Sequence, residues 1–369
     1  MTMTEKKSGI RLSRLTIKNY KKLNSLEIDF PRPVMKGDAD ILLFGSKNGG
    51  GKTSVLECCS LLMLAGIVGD RFNRIRESEL LLDIGNLLVK AGQEQAVIKG
   101  EFEQDNKKCA VSLTINHRTG FSKLNIEGDS SLFEVFGNTK KRYFDELDYS
   151  LNSILAFSGE PLIMPPLLHF NSYRKVQESK PELGMMADDY PRHRTMRMSK
   201  YSGRSISNPV SSFKLEILRA LMAQADLFEG INKGEPQSVL SQLNTLIQRY
   251  CGGQIEHLRP LPDNTVDIRI KPSTGGESFS FDGLSSGQKE IIATLFLIWR
   301  NTQEQSCIVL IDEPELHLNA EWHGDFVRQL HKLAPHNQYI LATHSEEMFR
   351  SVDECYRAIL VPDDNGVPL

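Results

Sequence analysis

The chain has 369 residues, of which 40% are hydrophobic and 25% charged, and its formal net charge is -3. A chain of this length and composition can bury a large core in one elaborate domain or two, which excludes an intrinsically disordered protein. The small net charge gives no global case for binding nucleic acid or a membrane, so any such contact must come from a local patch.

Two bursts of alternating apolar and polar residues near the N-terminus predict two half-buried antiparallel strands. The inward positions are Leu12, Leu15, Ile17, Leu26, Ile28 and Phe30. Residues 41–44 then form a short continuous apolar run, which is typical of a central strand covered on both faces. The next apolar stretch, residues 55–64, is long enough for a buried helix that stops near Gly66.

The middle of the chain is less regular. Residues 96–127 alternate again and predict a small antiparallel sheet, a side arm to the core. Residues 171–210 lack periodicity and hold eight Lys or Arg against four Asp or Glu, which predicts an irregular, basic insertion. Two helical patterns follow at 211–227 and 236–250, and neither sustains the heptads of a long coiled coil.

The C-terminal third returns to strong patterns. Residues 266–270 and 278–281 have the composition of strands, and residues 284–300 have apolar positions at helical spacing. Two more apolar runs, 307–311 and 339–342, flank a helix whose inner face carries Trp322, Phe326, Leu330 and Leu333. Strand, helix and strand at this length predict a right-handed parallel crossover.

Residues 45–53, the phosphate loop, read Gly-Ser-Lys-Asn-Gly-Gly-Gly-Lys-Thr between a predicted central strand and a buried helix. Glycines at 49, 50 and 51 let several backbone N–H groups point inward as an anion nest at the helix N-terminus. The pattern predicts that Lys52 reaches the β- and γ-phosphates of ATP and that the Thr53 hydroxyl ligates Mg²⁺. The predicted nucleotide-binding residues are Ser46, Lys47, Asn48, Gly49, Gly50, Gly51, Lys52, Thr53 and Ser54. The alternative is a glycine-rich turn before a helix.

A second pattern places adjacent carboxylates directly after the apolar run that ends at residue 311. Both then lie at the C-terminal edge of a parallel sheet, where ligands bind. This predicts that Asp312 joins the Mg²⁺ shell and that Glu313 orients or deprotonates the attacking water. The alternative is a solvated acidic loop.

Residues 284–290, the signature segment, read Leu-Ser-Ser-Gly-Gln-Lys-Glu. Ser285 and Gln288 have the spacing of a capping box, so one interpretation is simply a helix start. A glycine-containing helix N-terminus is also an anion site, and the segment resembles the signature motif of ABC-type ATPases. That resemblance adds four nucleotide-binding residues: Ser285, Ser286, Gly287 and Gln288. His344, at the end of the last predicted strand, matches the switch histidine of the same superfamily, and the predicted catalytic residues are Glu313, His344 and Lys52.

The chain resembles the SMC-like and RecF-like branch of the ABC ATPases, and within it the OLD (overcoming lysogenisation defect) group, over residues 11–66 and 262–350. It departs from the usual motifs at Ser46, Ser286 and Asn319. The resemblance implies an α/β fold of P-loop NTPase type. Its mostly parallel sheet would be flanked by helices and joined by an N-terminal antiparallel β arm and a helical, basic insertion. We expect ATPase lobe I at 1–170, the insertion at 171–261 and lobe II at 262–369.

The same resemblance implies a mechanism and partners. ATP-bound heads would stack head to tail, giving a homodimer or a higher even oligomer with ATP and Mg²⁺ as cofactors. As in many OLD-like ATPases, the chain would act as a regulator or sensor that works with a separate effector, a nuclease or toxin, in bacterial phage defence. Only 25 residues follow His344, so we expect no Toprim nuclease domain of the kind that OLD nucleases carry.

Two other functions stay open at this point. The first is a DNA-binding repair clamp similar to RecF, in which the basic segment, residues 171–204, contacts phosphates while its tyrosines stack on bases. A solvated loop is the alternative for that segment. The second is a partner-binding scaffold with a structural nucleotide.

The six cysteines show no C-x-x-C spacing, and three of them, Cys58, Cys59 and Cys307, lie in apolar runs where a thiol acts as a small hydrophobe. This predicts a reduced, cytoplasmic setting. The N-terminal stretch has no apolar core of signal-peptide length, and no run approaches the roughly 18 apolar residues of a membrane span. We therefore expect no membrane association.

Overall fold

The structure is a computed structural model that describes residues 9–34, 38–45, 49–69, 72, 84–133, 147–155, 159–182, 211–224 and 236–360. Its residues form two compact units. Unit 1 comprises Met1–Tyr173, Asn301–Leu316 and Ala320–Leu369, and unit 2 comprises Arg174–Arg300 and His317–Asn319. The three lobe boundaries expected from the sequence stay a prediction.

The strands are, in chain order, β1 Arg11–Tyr20, β2 Leu23–Asp29, β3 Asp40–Gly45, β4 Gln95–Gln104, β5 Lys107–Asn116, β6 Gly120–Gly128, β7 Leu162–Met164, β8 Leu167–Phe170, β9 Gly253–Pro260, β10 Val266–Pro272, β11 Phe279–Ser280, β12 Ile308–Asp312, β13 Gln338–Thr343 and β14 Arg357–Ile359. The helices are α1 Lys52–Val68, α2 Ile84–Leu88, α3 Leu147–Ile154, α4 Ser212–Gln224, α5 Pro236–Cys251, α6 Ser286–Asn301, α7 His323–Leu333 and α8 Glu346–Arg350.

The central sheet of unit 1 has six strands in the order β14-β3-β13-β12-β8-β7, and every neighbouring pair is parallel except β7 and β8. The three apolar runs predicted as central strands, β3, β12 and β13, lie side by side in it. Helix α7 joins β12 to β13, which confirms the predicted parallel crossover. The carboxyl ends of β3, β13 and β12 therefore meet at one edge of the sheet.

Helix α1 confirms the predicted buried helix, although it continues past Gly66 and ends at Val68. All of its residues except Thr53 are buried. A helix that is apolar on every side has to be enclosed by other elements, and α1 packs in one hydrophobic core with strands of both sheets of unit 1.

The antiparallel sheet of unit 1 has five strands in the order β2-β1-β4-β5-β6. The predicted hairpin of β1 and β2 is confirmed, with Leu15 opposite Ile28. A register shift between Leu12 and Arg14 in the pairing of β1 with β4 keeps both Leu12 and Leu15 facing inward. Strands β4 to β6 confirm the predicted sheet, but they are more than a side arm, because their apolar residues belong to the same core as α1.

Unit 2 contains α4 and α5, which confirm the two predicted helical patterns, and a three-stranded antiparallel sheet in the order β11-β10-β9. Phe213 packs its ring against Phe281 at 5.4 Å and against Phe296 on α6 at 5.6 Å. Beside these rings, the buried Lys214 ammonium lies 2.6 Å from Asp282 Oδ1. Phe213 on α4 thus packs against α6, and Lys214 on α4 pairs with Asp282, four residues before α6 begins.

None of the helices within the described residues is both long enough and apolar enough to cross a membrane.

Candidate nucleotide site

The phosphate loop connects β3 to α1 as predicted, and glycine is required there for backbone conformation. Gly49 and Gly51 have φ angles of +83° and +86°, in the left-handed region that other residues avoid. A Cβ on Gly51 would also lie 2.6 Å from the Leu23 side chain. Gly50 and Ser54 are buried beside them. Three of the predicted phosphate-binding residues, Ser46, Lys47 and Asn48, lie outside the described residues.

Gly45 has a different role from the loop glycines. It is the last residue of β3, and a Cβ there would lie 2.8 Å from the ring of Phe349 on α8. The glycine therefore allows α8 to pack against the end of the strand, one residue before the position where the usual phosphate-loop pattern has its first glycine.

The two residues predicted to hold magnesium lie together. The Thr53 hydroxyl donates a hydrogen bond of 2.8 Å to Asp312 Oδ2, and Asp312 is 1% exposed at the end of β12. A hydroxyl and a carboxylate are hard oxygen ligands, and Mg²⁺ in nucleotide sites takes one or two protein ligands and completes its shell with phosphates and water. The pair fits the predicted metal site.

The three predicted catalytic residues form a cluster at the same edge. The Lys52 ammonium donates to the imidazole of His344, at 2.9 Å from Nε2 and 3.3 Å from Nδ1. His344 Nε2 lies 3.3 Å from Glu313 Oε1. Burial lowers the pKa of Lys52, while the carboxylates of Glu313, Asp312 and Glu315 act in the opposite direction. A lysine, a histidine and a carboxylate thus converge beside the start of α1.

The backbone at Glu313 is in a sparsely populated conformation, with φ of +47°. Its N–H donates to the carbonyl of Ala342 at 2.8 Å and its carbonyl accepts from the N–H of Leu316 at 3.1 Å, so a sharp turn follows β12 directly. Such strain persists only where the surrounding structure imposes it, and it is concentrated at functional sites. After this turn the Glu313 carboxylate lies beside His344.

Sequence reasoning missed one residue of this cluster. Glu315 Oε1 accepts a hydrogen bond from the backbone N–H of His344, which ties the acidic turn after β12 to the end of β13. The only signal in the sequence was a third acid within four residues, at 312, 313 and 315. Spacing alone does not assign a role to it, because the contact depends on the turn at Glu313.

The signature segment begins α6, in unit 2. Both halves of the capping box are present: Gln288 N–H donates to Ser285 Oγ at 3.2 Å, and Ser285 N–H donates to Gln288 Oε1 at 3.1 Å. The Gln288 amide also donates to the Tyr250 carbonyl at 3.0 Å. A Cβ on Gly287 would lie only 2.1 Å from the carbonyl oxygen of His317, so glycine lets that backbone pass close to the helix. Ser285 and Ser286 are exposed.

The basic segment is described only up to residue 182, and its remaining predicted DNA contacts lie outside the described residues: Tyr190, Arg192, Arg194, Arg197, Lys200, Tyr201 and Arg204. Arg174, one of the predicted phosphate contacts, is 7% exposed. Burial raises the pKa of Glu290, and the charge of Arg174 acts in the opposite direction. Arg174 is thus a buried partner of an acid and is not available at the surface, whereas Tyr173 is 71% exposed.

Two curated relatives are ATPases of retrons by name. The chain is 22% identical to the Retron Vc95 probable ATPase of Vibrio cholerae serotype O1 biovar El Tor, over 93% of this chain and 72% of the relative. It is 34% identical to the Retron Ec83 probable ATPase of Escherichia coli over a shorter match, 21% of this chain and 16% of the relative.

Solved structures with the same fold are heads of Smc proteins. One is the Smc head bound to the C-winged helix domain of ScpA, with a TM-score of 0.53, 13% identity and 94% of each chain covered. Another is the Smc head domain with an extended coiled coil bound to the C-terminal domain of ScpA, derived from Pyrococcus furiosus, with a TM-score of 0.54, 13% identity and coverage of 98% and 96%. These confirm the expected P-loop fold of ABC and SMC-head type. The model of the RecF/RecN/SMC N-terminal domain matches residues 11–365, and the chain belongs to that family, within the ABC-type ATPases.

Proposed function

We propose that the chain is a Mg²⁺-dependent ATP hydrolase whose ATP-bound heads associate head to tail, and that this association regulates a separate effector in bacterial phage defence. The observation that carries the proposal is the cluster at the carboxyl ends of β3, β12 and β13. There Lys52 contacts His344, and His344 contacts Glu313, each at hydrogen-bond or ion-pair distance. Thr53 is hydrogen-bonded to Asp312 at the same edge of the sheet.

The roles of the residues follow from their positions. Lys52 and the N–H groups at the start of α1 bind the phosphates, because both provide positive charge where the triphosphate enters. Glu313 accepts a proton from the attacking water, and His344 donates a hydrogen bond to the γ-phosphate as its charge increases. Thr53 and Asp312 would hold magnesium, which would supply positive charge to stabilise the phosphates.

Dimerisation follows from the resemblance of the signature segment to that of ABC ATPases. In those proteins each head offers its signature to the nucleotide of the other head. Ser285 and Ser286 are exposed at the start of α6 and fit such a contact. Groups supplied in trans to phosphoryl transfer are worth about 10³ to 10⁵ in rate, so an isolated head should hydrolyse ATP slowly.

The proposed regulatory role is supported by sequence similarity. The resemblance to the OLD group implies an ATPase that works with a separate nuclease or toxin, and two relatives carry the name of a retron ATPase. A cycle of ATP binding and hydrolysis would then join and release the two heads, because the γ-phosphate is the group that both heads contact.

The decisive experiment measures the oligomeric state of Glu313→Gln by size-exclusion chromatography with and without Mg-ATP. Removing the proton acceptor while leaving Lys52, Thr53 and Asp312 in place should give a variant that binds ATP, hydrolyses it slowly and elutes as a dimer. Lys52→Ala should bind no ATP and elute as a monomer in both conditions.

A matched control is Glu321→Gln, which removes an exposed acid eight residues beyond Glu313. It should behave as the unmodified protein. A Glu313→Gln protein that binds ATP and still elutes as a monomer would show that the head-to-tail scheme is wrong. The effector is tested separately, by co-purifying the chain with the product of a neighbouring gene in the presence and absence of ATP.

A further inference from the structure

The turn between β1 and β2, residues 19–23, lies directly against the phosphate loop. The Leu23 side chain is 2.6 Å from the place where a Cβ on Gly51 would be, and the Lys22 ammonium is 3.9 Å from the corresponding place on Gly49. The β1–β2 turn therefore forms a wall of the loop and brings the Lys22 ammonium to its edge.

This turn is held in a conformation that its residues do not prefer. Asn19 and Lys21 have φ angles of +56° and +49°, which cost energy in residues other than glycine. Hydrogen bonds to one neighbouring segment contribute to holding it, since Lys21 N–H donates to the Leu88 carbonyl at 2.7 Å and Lys90 N–H donates to the Asn19 carbonyl at 2.8 Å.

A second set of contacts that fixes the β1–β2 turn comes from α1. Glu57 lies four residues after Thr53 on α1 and is 2% exposed. Its neighbours on the helix are apolar and buried: Val55, Leu56, Cys58 and Cys59. Its Oε1 is 2.6 Å from the Lys21 ammonium and its Oε2 accepts a hydrogen bond of 3.1 Å from the Tyr20 hydroxyl. Burial raises the pKa of Glu57, and Lys21 and Tyr20 act in the opposite direction.

A buried carboxylate is an expensive way to stabilise a core. Replacing a buried ion pair by well-packed apolar residues is often neutral or stabilising, so stability alone does not account for a glutamate here. What an apolar residue could not do is bind Lys21. Glu57 connects the helix that begins at the phosphate loop to the turn that borders the same loop, and so it fixes the distance between them.

We propose that Glu57 is a positioning residue of the nucleotide site: by binding Lys21 and Tyr20 it holds the β1–β2 turn against the phosphate loop, with Lys22 at its edge. This rests on the proposed function, because the nucleotide is the ligand whose binding the turn would support. Glu57 itself need not touch the nucleotide.

The test uses the full chain and two variants that break the same contact from opposite sides, Glu57→Gln and Lys21→Met, with Lys18→Met as control. Lys18 is an exposed lysine on β1, three residues before Lys21. Hydrogen exchange of residues 19–23 is measured first, without nucleotide, and should be faster in both variants and unchanged in the control. The dissociation constant for Mg-ATP is then measured by calorimetry.

We expect each single variant to bind Mg-ATP about ten to a hundred times more weakly, since a displaced positioning group can cost that much. The double variant should be no weaker than either single one, because the contact can be lost only once. Melting temperatures identify any variant that is simply unfolded. Glu57→Gln leaves unpaired only Lys21, whose side chain is 31% exposed, so Glu57→Gln decides the matter if Lys21→Met does not fold.

The outcomes separate this proposal from the general one. If the unmodified chain does not bind ATP, the proposed function is wrong, whereas the exchange rates still report whether Glu57 holds the turn. If folded variants exchange faster at 19–23 but bind Mg-ATP with unchanged affinity, Glu57 is a structural residue and the positioning role is overturned. Unchanged exchange in both variants overturns it as well.

Discussion

The hydroxyl of Thr53 and the carboxylate of Asp312 are 2.8 Å apart although the two residues are 259 positions apart in the chain. Thr53 lies in the first turn of α1 and Asp312 ends β12, so the contact exists only when β3 and β12 lie in the same sheet with β13 between them. Formation of the central sheet is therefore what assembles the two oxygen ligands of the candidate metal site.

Asp312→Asn should remove the magnesium-dependent part of ATP binding. An amide keeps the shape and the hydrogen bond to Thr53 but loses the charge that attracts the metal. We expect the affinity for Mg-ATP to fall by at least about tenfold, or about 1.4 kcal/mol. Affinity for ATP in excess EDTA should be unchanged or higher, because one negative charge near the phosphates is gone. Calorimetry in both conditions checks this, and equal weakening in both would contradict the metal role.

His344→Gln should lower the rate of hydrolysis and leave ATP binding almost unchanged. The imidazole lies between Lys52 and Glu313, where charge moves during phosphoryl transfer, and loss of one such group costs about 10² to 10³ in rate. Phosphate release in a single-turnover assay measures the effect. The exposed His336, in the segment between α7 and β13, gives a control in His336→Gln, which should be as active as the unmodified chain.

Gly287→Ala should uncouple nucleotide binding from dimerisation. The new methyl would meet the His317 carbonyl oxygen at 2.1 Å, so either α6 or the backbone at 317 has to move. Overpacking of this kind costs about 1 to 3 kcal/mol. We expect a lower melting temperature and loss of the ATP-linked dimer, with ATP still bound.

Gly324→Ala is the matched control for Gly287→Ala. It also changes a glycine in the first turn of a helix, and a Cβ there meets no atom within 4 Å. Alanine should be neutral at this position, or stabilising by about 0.4 to 1 kcal/mol. A Gly287→Ala protein that dimerises with ATP as readily as Gly324→Ala would count against a role for the start of α6 in the dimer.

Stability should fall between neutral and mildly acidic pH because of His169. Burial lowers its pKa from 6.5 to about 4, and Nδ1 lies 3.0 Å from the Ser60 hydroxyl. The unfolded chain takes up a proton near pH 6.5 and the folded chain does not until about pH 4, so the contribution of this residue is present above pH 6.5 and is lost as the pH falls toward 4. The free energy of unfolding should drop by about 2 kcal/mol from pH 7 to 5 through this residue.

Urea denaturation at the two pH values measures that drop. His169→Asn keeps a polar atom near Ser60 without a titrating ring, and its unfolding free energy should change less with pH. His257→Asn, at an exposed position in β9, should retain the full dependence. If His169→Asn and the unmodified chain lose the same stability, another group is responsible.

The sequence predicted the strands that carry the candidate site better than the rest of the central sheet. β3, β12 and β13 are continuous apolar runs next to glycines or acids, and parallel strands buried on both faces have just that composition. β8 is also an inner strand of the central sheet, but His169 interrupts its apolar run. The partner of the His169 Nδ1 atom is the hydroxyl of Ser60, a residue 109 positions away in the chain. No local pattern contains such a partner.

The acidic turn shows a different limit. Asp312 and Glu313 were predicted from the strand before them, whereas the contact of Glu315 with His344 depends on the left-handed backbone at Glu313, which spacing does not reveal. Glu57 had a readable signal, a single acid in an apolar helix, but its partner Lys21 lies in a turn whose position over the phosphate loop is a property of the tertiary structure.

Helix α1 has almost no solvent-facing position, because every residue after Thr53 is buried. Most helices of soluble proteins tolerate amino-acid substitutions on their solvent-exposed side, and α1 has no such side. Substitutions in related chains should therefore be limited to residues of similar volume along the entire helix. A substitution at Leu62 or Ile67 lies more than a helical turn from the phosphate loop. It would nevertheless impair nucleotide binding, because it would disturb the packing of the helix. Beyond Glu57, loss-of-function variants in this helix would therefore report on packing and not on chemistry.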